Sequence, residues 1–238
     1  VVFERLQADV IPANGGAVFL VKRPADGGTV LDSLNFGFQA ADYSLGRIED
    51  GNGDWALTLP TRGAANVAAS LGNASSLKLN EWLASSPGED DWLELFNPEP
   101  QPVALAGLAL TDDASVHDQS PLPPLSFIGP QRHQKLIADG NRGAGADHVG
   151  FNLAAAGDFL GLYWPVGTQI DALSFGPQTS GVAEGRFPDG AENIASFPQT
   201  ASPGAPNYLL LTNLVINEAL THTDPPLEDA VEIFNTGA

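Results

Sequence analysis

Two stretches of the 238-residue chain decide how it folds. The first, LNEWLASSPGEDDWLELFNPEP, runs from Leu79 to Pro100, and the second, INEALTHTDPPLEDAVEIFNTG, runs from Ile216 to Gly237. Each has an Asn-Glu pair inside an apolar segment, a turn rich in proline and acidic residues, and an alternating segment that ends in Phe-Asn. Alternation of this kind is typical of a β-strand, so each stretch predicts strands on both sides of a turn. Their separation of 137 positions indicates an internal repeat.

Two further pairs of segments support the repeat. TVLDSLNFGFQAADYSLGRIEDG (29–51) matches TQIDALSFGPQTSGVAEGRFPDG (168–190) at an offset of 139, and TRGAAN (61–66) matches SPGAPN (202–207) at an offset of 141. The sequence therefore predicts a complete repeat over residues 78–207, the back part of a preceding repeat over 1–67, a linker over 68–77, and the front part of a following repeat over 213–238. We expect the chain to be a piece of a longer protein, with any targeting segment outside it.

The local pattern throughout is that of strands. Alternation over 91–96 and short apolar runs at 17–21 and 158–163 each predict a strand. Each of the two apolar runs is followed by a turn and another apolar run. The segments 105–113 and 133–140 predict further strands, and 208–212 predicts a strand or a packed joint. We find no sustained helical periodicity, so the prediction is an all-β chain that forms a β-sandwich.

Composition excludes several classes of function. The formal net charge of −19 repels phosphate backbones and anionic lipid surfaces, so we expect no nucleic-acid binding. The chain has no cysteine, which rules out disulfides and thiolate metal sites. No apolar run is long enough to span a bilayer, so we expect no membrane insertion in this segment.

The order of these motifs over residues 78–207 resembles that of the bacterial lamin tail domain. The most specific pieces are Asn80-Glu81, the Trp92–Asn97 strand, the Gly185–Gly190 turn and the closing Pro203–Asn207. The resemblance implies an immunoglobulin-like β-sandwich that occurs in tandem in large secreted or cell-surface proteins, with a catalytic domain elsewhere in the parent chain. The first repeat departs from the pattern, since it closes with Thr61-Arg62-Gly63 where Thr-Pro-Gly is usual, and its head, 1–16, is short.

The carboxylates that recur in the repeats are the first candidates for chemistry. Glu81 and Glu94, repeated as Glu218 and Glu232, could form a general acid/base pair of a hydrolase together with Asp91. The structural alternative is that each carboxylate binds a backbone amide or an arginine inside the sandwich, and recurrence favours it. We likewise predict that two matched arginines clamp the acid three residues later, with Arg47 binding Asp50 and Arg186 binding Asp189. The functional alternative is that they bind the carboxylate of a ligand.

Metal and sugar sites are weaker candidates. Asp50, Asn52 and Asp54 begin a calcium-loop pattern that then fails, since a tryptophan stands at the glycine position, and acidic residues at 112, 113 and 139 carry less signal still. The four histidines, at 117, 133, 148 and 222, show no metal-ligand spacing. Tryptophans at 82, 92 and 164 could line a carbohydrate-binding face, although core packing is the commoner role.

The expected function is therefore a non-catalytic, extracellular interaction or spacer module, with no catalytic, cofactor-binding or metal-binding residue and no cofactor. Its expected partner is a protein or glycan of unknown identity. Calcium-dependent adhesion, carbohydrate binding, and a hydrolase that uses carboxylates or a metal remain as alternatives. The partial repeats 1–67 and 213–238 are predicted to expose unpaired strand edges, which could pair with one another because they supply complementary parts.

Overall fold

The computed structural model describes residues 12–22 and 27–237. These residues form β-strands and one 3-10 helix, with no α-helix among them, which confirms the prediction of an all-β chain. The strands are β1 Gly16–Val21, β2 Val30–Phe36, β3 Ser44–Arg47, β4 Trp55–Leu59, β5 Val67–Ala68, β6 Lys78–Leu83, β7 Trp92–Phe96, β8 Val103–Ala104, β9 Ala109–Thr111, β10 Ser120–Pro121, β11 Phe127–Ile128, β12 His133–Ile137, β13 Asp158–Tyr163, β14 Gln169–Phe175, β15 Ala183–Arg186, β16 Ile194–Phe197, β17 Leu214–Leu220 and β18 Ala230–Asn235, and the 3-10 helix is Ala74–Ser76.

The strands predicted over 17–21, 91–96 and 158–163 correspond to β1, β7 and β13, with bounds that agree to within one residue. The segment 105–113 contains a strand only in its second part, β9, and 133–140 contains β12. Residues 208–212 form no strand. The head of the first repeat, over 1–16, and the turn at 24–28 lie largely outside the described residues.

Residues 78–207, which we call the complete repeat, contain two large sheets. One sheet has the strand order β12-β7-β6-β15-β16, and the other has the order β10-β9-β13-β14. Leucines of both sheets share one buried cluster: Leu79, Leu93 and Leu95 from the first, and Leu110, Leu160 and Leu162 from the second. Because each fully buried leucine contributes about 1.5–3 kcal/mol, this shared core holds the two sheets together, as in a β-sandwich.

Residues 1–67, which the sequence predicts to be part of a repeat, are called the N-terminal half-repeat. Phe38 joins this segment to the complete repeat. The ring of Phe38 is 1% exposed and packs in the leucine cluster of the complete repeat. Its backbone N–H donates to Ser126 Oγ at 3.3 Å, and its carbonyl accepts from Phe127 N–H at 2.8 Å. Gly37 N–H donates to the carbonyl of Pro124 at 3.0 Å. The two parts are therefore joined by backbone pairing and by one buried aromatic ring.

The intervening segment, 68–77, also contacts the complete repeat. Gly72 N–H donates to the carbonyl of Pro102 at 2.9 Å, and the side chain of Leu77 is fully buried. Ala69 N–H donates to the carbonyl of Leu57 in the half-repeat at 2.9 Å. The segment predicted as a linker is thus packed at these three positions, while the exact domain boundaries remain a prediction.

We expect a methyl group at Gly37 to open this joint. A Cβ there would lie 1.9 Å from Ser126 Oγ and 2.9 Å from Pro123 Cβ, so Gly37→Ala should cost about 1–3 kcal/mol of docking free energy. Chymotrypsin should then cut the half-repeat roughly tenfold faster or more, since 1.4 kcal/mol is a factor of ten in the open population. Gly176, the matching position of the complete repeat, has open space around it, so Gly176→Ala is the control. Equal cleavage rates for the two variants would contradict the joint.

Residues 208–238 form a second compact unit, separate from residues 1–207. Within it, β17 pairs antiparallel with β18, and we call these two strands the C-terminal hairpin. Every residue of both strands is exposed. A two-stranded hairpin with both faces exposed is marginally stable in water, so this unit gains stability from any surface that covers one of its faces.

Candidate functional site: the buried Asn-Glu brace

The most polar part of the interior surrounds Asn80, which lies where the register between β6 and β7 shifts. Its side-chain amide donates to Glu94 Oε1 at 3.1 Å and to Asp189 Oδ1 at 3.0 Å, and its Oδ1 accepts from Gly190 N–H at 3.0 Å. A bulge leaves the extra residue outside the regular ladder and re-aims its side chain. The predicted Asn-Glu motif is therefore the point at which the front strands bind the turn after β15.

Glu81 and Glu94 fasten the loop that closes the repeat, residues 202–207. Both oxygens of Glu81 accept from Ser202 N–H at 3.2 Å, and Glu94 Oε2 accepts from Gly204 N–H. The two carboxylates are 1% and 0% exposed. Both therefore bind backbone amides inside the sandwich, and neither faces solvent as an acid/base pair would. We refer to Asn80, Glu81 and Glu94 as the brace.

Burial dominates the protonation of both carboxyls. It raises the pKa of Glu81 to about 7, against the hydrogen bonds from Ser202, which lower it. It raises the pKa of Glu94 to about 8, against the bonds from Gly204 and Asn80. The charge of each neighbour raises the pKa of Glu94 further, since Glu81 and Asp189 are both close. The pair therefore holds protons near neutral pH.

Asn207 completes the closing loop. Its N–H donates to Asp189 Oδ1 at 3.0 Å, its side-chain amide donates to the carbonyl of Arg186 at 2.9 Å, and its Oδ1 accepts from Ser202 Oγ at 3.1 Å. Gly204 has a φ of +86°, which glycine adopts without strain. The closing loop thus has both the backbone conformation and the hydrogen-bonding groups that hold it against the brace.

The arginine predictions named the wrong acids. Arg186 binds Asp171 of β14 through Nη2, at 3.1 and 3.0 Å, and does not clamp Asp189. Asp189 instead accepts hydrogen bonds from the Asn80 side-chain amide and from Asn207 N–H. Strand β14 brings Asp171 beside the guanidinium across the core, a contact that spacing along the chain does not reveal.

This ion pair also binds a strand. Asp171 Oδ2 accepts from Leu79 N–H at 2.9 Å, and Arg186 Nε donates to the carbonyl of Leu79 at 2.8 Å. A further bond from Arg186 Nη1 to the carbonyl of Ala191 measures 2.6 Å. One Asp-Arg pair therefore holds both backbone groups of a single residue of β6.

The N-terminal half-repeat carries the same arrangement. Arg47 Nη2 binds Asp32 at 3.1 and 3.4 Å, so the predicted contact with Asp50 is wrong as well. Asp50 accepts instead from Asn66 N–H at 3.0 Å, and the Asn66 amide donates to the carbonyl of Arg47 at 3.0 Å. These contacts match those of Asp171, Arg186, Asp189 and Asn207 one for one. The two segments therefore share the contacts between these four residues as well as the residue types.

Other predicted candidates lie apart from the brace. Asp91 accepts from Ser86 N–H at 3.2 Å in the turn between β6 and β7, and burial raises its pKa. Trp82 and Trp92 are buried, so they cannot line an exposed sugar-binding face, and Trp164 is half-buried.

The histidines and acidic turns take local roles. His148 Nδ1 lies 2.8 Å from Asp139 Oδ2, and the His117 ring stacks on Tyr163 with centroids 4.3 Å apart. Within 12–22 and 27–237, no three histidine or acidic side chains come together in a way that could hold a metal ion. The same residues include no helix long and apolar enough to cross a membrane.

Sequence reasoning missed His133. Its Nε2 lies 3.3 Å from Asp189 Oδ2, and its ring stacks on Phe96 with centroids 4.6 Å apart. Burial lowers its pKa, although the Asp189 charge opposes that effect. No metal-ligand spacing marks this residue, because its partners Asp189 and Phe96 are distant from it in the sequence.

No family model, curated protein or solved structure matches the chain.

Proposed function

We propose that this chain is a non-catalytic, extracellular interaction or spacer segment of a larger bacterial surface or secreted protein. The observation that carries the proposal is that Glu81 and Glu94 are buried and bound to backbone amides. They are the best-placed acid/base pair of the sequence, and both accept hydrogen bonds from backbone amides of the closing loop while buried. A carboxylate committed in this way stabilises a loop and has no access to a substrate.

The joint between repeats supports a spacer in particular. Phe38 lies in the core of the complete repeat, and backbone bonds on both sides of it link the two parts. A packed joint keeps successive repeats at a fixed separation, whereas a free tether lets them move. A protein that projects a distant domain from a surface needs that property.

We further propose that the repeats are immunoglobulin-like β-sandwiches of the lamin tail type. The motifs that carry the resemblance are those of the brace and of the segments that it binds. They are Asn80-Glu81, the turn at 185–190 and the closing segment 203–207. A sandwich whose ends are tied by recurring polar contacts needs the same residue types in the same order in every repeat. The order of motifs and the contacts thus support the same assignment.

An enzymatic and binding survey of the whole chain tests the function. Glycoside, ester and phosphodiester substrates should show no turnover above the buffer blank, from pH 5 to pH 9. The variants Glu94→Gln and Glu89→Gln provide a matched pair, since Glu89 is exposed in the turn before β7. Turnover that Glu94→Gln abolishes and Glu89→Gln retains would overturn the proposal in favour of a hydrolase.

The same material distinguishes the binding alternatives. The melting temperature should be equal in calcium and in chelator, because anything that binds only the folded state raises it. A rise with calcium would favour calcium-dependent adhesion. Alanine substitutions of exposed residues in 78–207, tested against glycans and cell-envelope fractions, separate an interaction module from a pure spacer: a variant that loses binding identifies the interaction surface.

A further inference from the structure

The C-terminal hairpin reproduces the register of β6 and β7. In both hairpins the register shifts at the asparagine of the Asn-Glu pair, and the two glutamates face each other across the strands. In both, the asparagine side-chain amide donates to the second glutamate. The equivalent pairs are Ile216 and Leu79, Asn217 and Asn80, Glu218 and Glu81, Glu232 and Glu94, and Ile233 and Leu95.

Burial distinguishes the two hairpins. Ile216 is 71% exposed and Ile233 is 58% exposed, whereas Leu79 and Leu95 are 1% and 0% exposed. The C-terminal hairpin therefore presents apolar side chains that, in the complete repeat, pack against β13 and β14. An exposed apolar strand pair of this kind is a surface for pairing with another sheet.

The N-terminal half-repeat presents the surface that such a hairpin fits. Strand β3 ends its three-stranded sheet, so among the described strands it pairs only with β4. Its counterpart β15 pairs with β6 on that side. Asp32 and Arg47, the counterparts of the pair that holds Leu79, have side chains 51% and 27% exposed. The half-repeat thus offers both a strand edge and an accessible Asp-Arg pair.

An apolar groove lies beside this edge. Its volume is about 450 Å³, and its lining includes Val18, Leu34, Phe36 and Leu45. Val18 and Leu34 face each other across β1 and β2, as Leu160 and Leu173 do across β13 and β14. Since β6 packs on β13 and β14 in the complete repeat, the groove is where a β6-like strand would place its apolar side chains.

We propose that the C-terminal hairpin of one copy of this chain adds to β3 of a second copy and fills that groove. Ile216 would be held through its N–H by Asp32 and through its carbonyl by Arg47, as Leu79 is held in the complete repeat. Strand addition of this type uses backbone hydrogen bonds for affinity and side-chain pockets for specificity. The inference goes beyond the proposed function and does not depend on it.

Further polar groups of the half-repeat correspond to those that bind the brace in the complete repeat. Thr61 and Gly63 form the turn that Ser202 and Gly204 form, with Ala64 N–H donating to the carbonyl of Thr61 at 2.8 Å. Their N–H groups would therefore face the hairpin glutamates, and the amide of Gly51 would face Asn217. Because Glu81 and Glu94 accept from the equivalent backbone amides in the complete repeat, the hairpin and the turn are complementary in hydrogen-bonding groups.

The mass of the 238-residue chain in solution tests the proposal. Light scattering from about 1 μM to about 1 mM should give a mass that rises from 24.8 kDa to twice that value or more. Ile216→Asp places a charge in the groove and should raise the dissociation constant at least about 100-fold. Leu227→Asp, at an exposed turn position 64% accessible, should leave association unchanged. A mass of one chain at every concentration, or equal effects of the two variants, would overturn the proposal.

Cross-linking tests the register directly, because the chain has no cysteine of its own. Glu184 lies opposite Trp82 in the complete repeat, and the corresponding positions are Leu45 and Ala219. A chain with Leu45→Cys mixed with a chain with Ala219→Cys should give a mixed disulfide under oxidation. Val67→Cys, on the other edge strand of the same sheet, should give about tenfold less.

Equal yields from Val67→Cys and Leu45→Cys would overturn the register. If the chain carrying both Leu45→Cys and Ala219→Cys closes its disulfide only within one chain, the partner is not a second copy, and the proposal also fails. Both measurements use the intact chain, so neither depends on the folding of an isolated part.

Discussion

Replacing Arg186 with methionine is expected to lower the free energy of unfolding of the complete repeat by about 3–5 kcal/mol. The guanidinium is buried, pairs with Asp171 at 3.0 Å, and donates to the carbonyls of Leu79 and Ala191. Methionine keeps the apolar stem but leaves the buried Asp171 charge with only Lys78, 4.0 Å away, as a cationic neighbour. It also removes the arginine donors from two carbonyls. Urea unfolding followed by tryptophan fluorescence measures the loss, since three of the four tryptophans lie within 78–207.

The chain provides its own control for that experiment. Arg47 makes the equivalent ion pair with Asp32, but these two side chains are 27% and 51% exposed. An exposed pair is worth about 0–1 kcal/mol, because water solvates the charges nearly as well when they are separate. Arg47→Met should therefore cost roughly 1 kcal/mol or less. If the two substitutions cost the same, burial does not set the value of this contact and the argument for the Arg186 pair fails.

The outcome of the arginine predictions illustrates what the sequence could and could not supply. The repeat offset correctly matched Arg47 with Arg186 and Asp32 with Asp171, because equivalent residues keep their type. The offset did not identify which of the matched residues touch. Asp189 is three positions from Arg186 in sequence, yet Asp171, on a different strand, is its partner. Contacts between strands depend on how the sheets face each other, which local spacing does not encode.

The sequence predicted that the residues of the brace have a role in the fold, but it did not predict which groups they bind. Recurrence of Asn80, Glu81 and Glu94 favoured a role in the fold, and their bonds to backbone amides agree with that alternative. The amides themselves, at Ser202 and Gly204, lie more than a hundred residues away and carry no side-chain signal. Backbone donors can be placed only when the turn that aims them is known.

The joint at Phe38 could not have been predicted from the repeat at all. The matching position of the complete repeat is Pro177, which has no N–H to donate and no aromatic ring. A comparison of the repeats therefore cannot reveal this contact, because only one of the two repeats has it.

Raising the pH from about 5 to about 8.5 is expected to destabilise the complete repeat by roughly 6 kcal/mol through Glu81 and Glu94. Burial raises the folded-state pKa of these carboxyls to about 7 and about 8, from an unfolded value of 4.5. Between these values the folded chain retains protons that the unfolded chain has released, so each increment of pH favours unfolding. Their contribution is fully present below about pH 4.5 and is lost as the pH rises through 7 and 8.

His133 titrates in the opposite sense and limits where the effect can be measured. Burial lowers its folded-state pKa below 6.5, so its contribution to stability increases with pH up to that value and is constant above it. The interval from about pH 6.5 to 8.5 therefore isolates the two glutamates. Urea unfolding at constant ionic strength across this interval gives the slope of the free energy of unfolding against pH.

Glutamine variants decide whether the brace causes that slope. Glu94→Gln and Glu81→Gln remove the titrating groups, so each should flatten the slope, and the double variant should abolish most of it. The slope is the proper readout, because glutamine also loses one of the two acceptor oxygens and changes the absolute stability. Glu89→Gln, exposed in the turn before β7, removes a carboxylate without touching the brace and should leave the slope unchanged. A slope that persists in the double variant would mean that the destabilisation comes from the general negative charge of the chain, and that the buried carboxyls are not what holds protons at neutral pH.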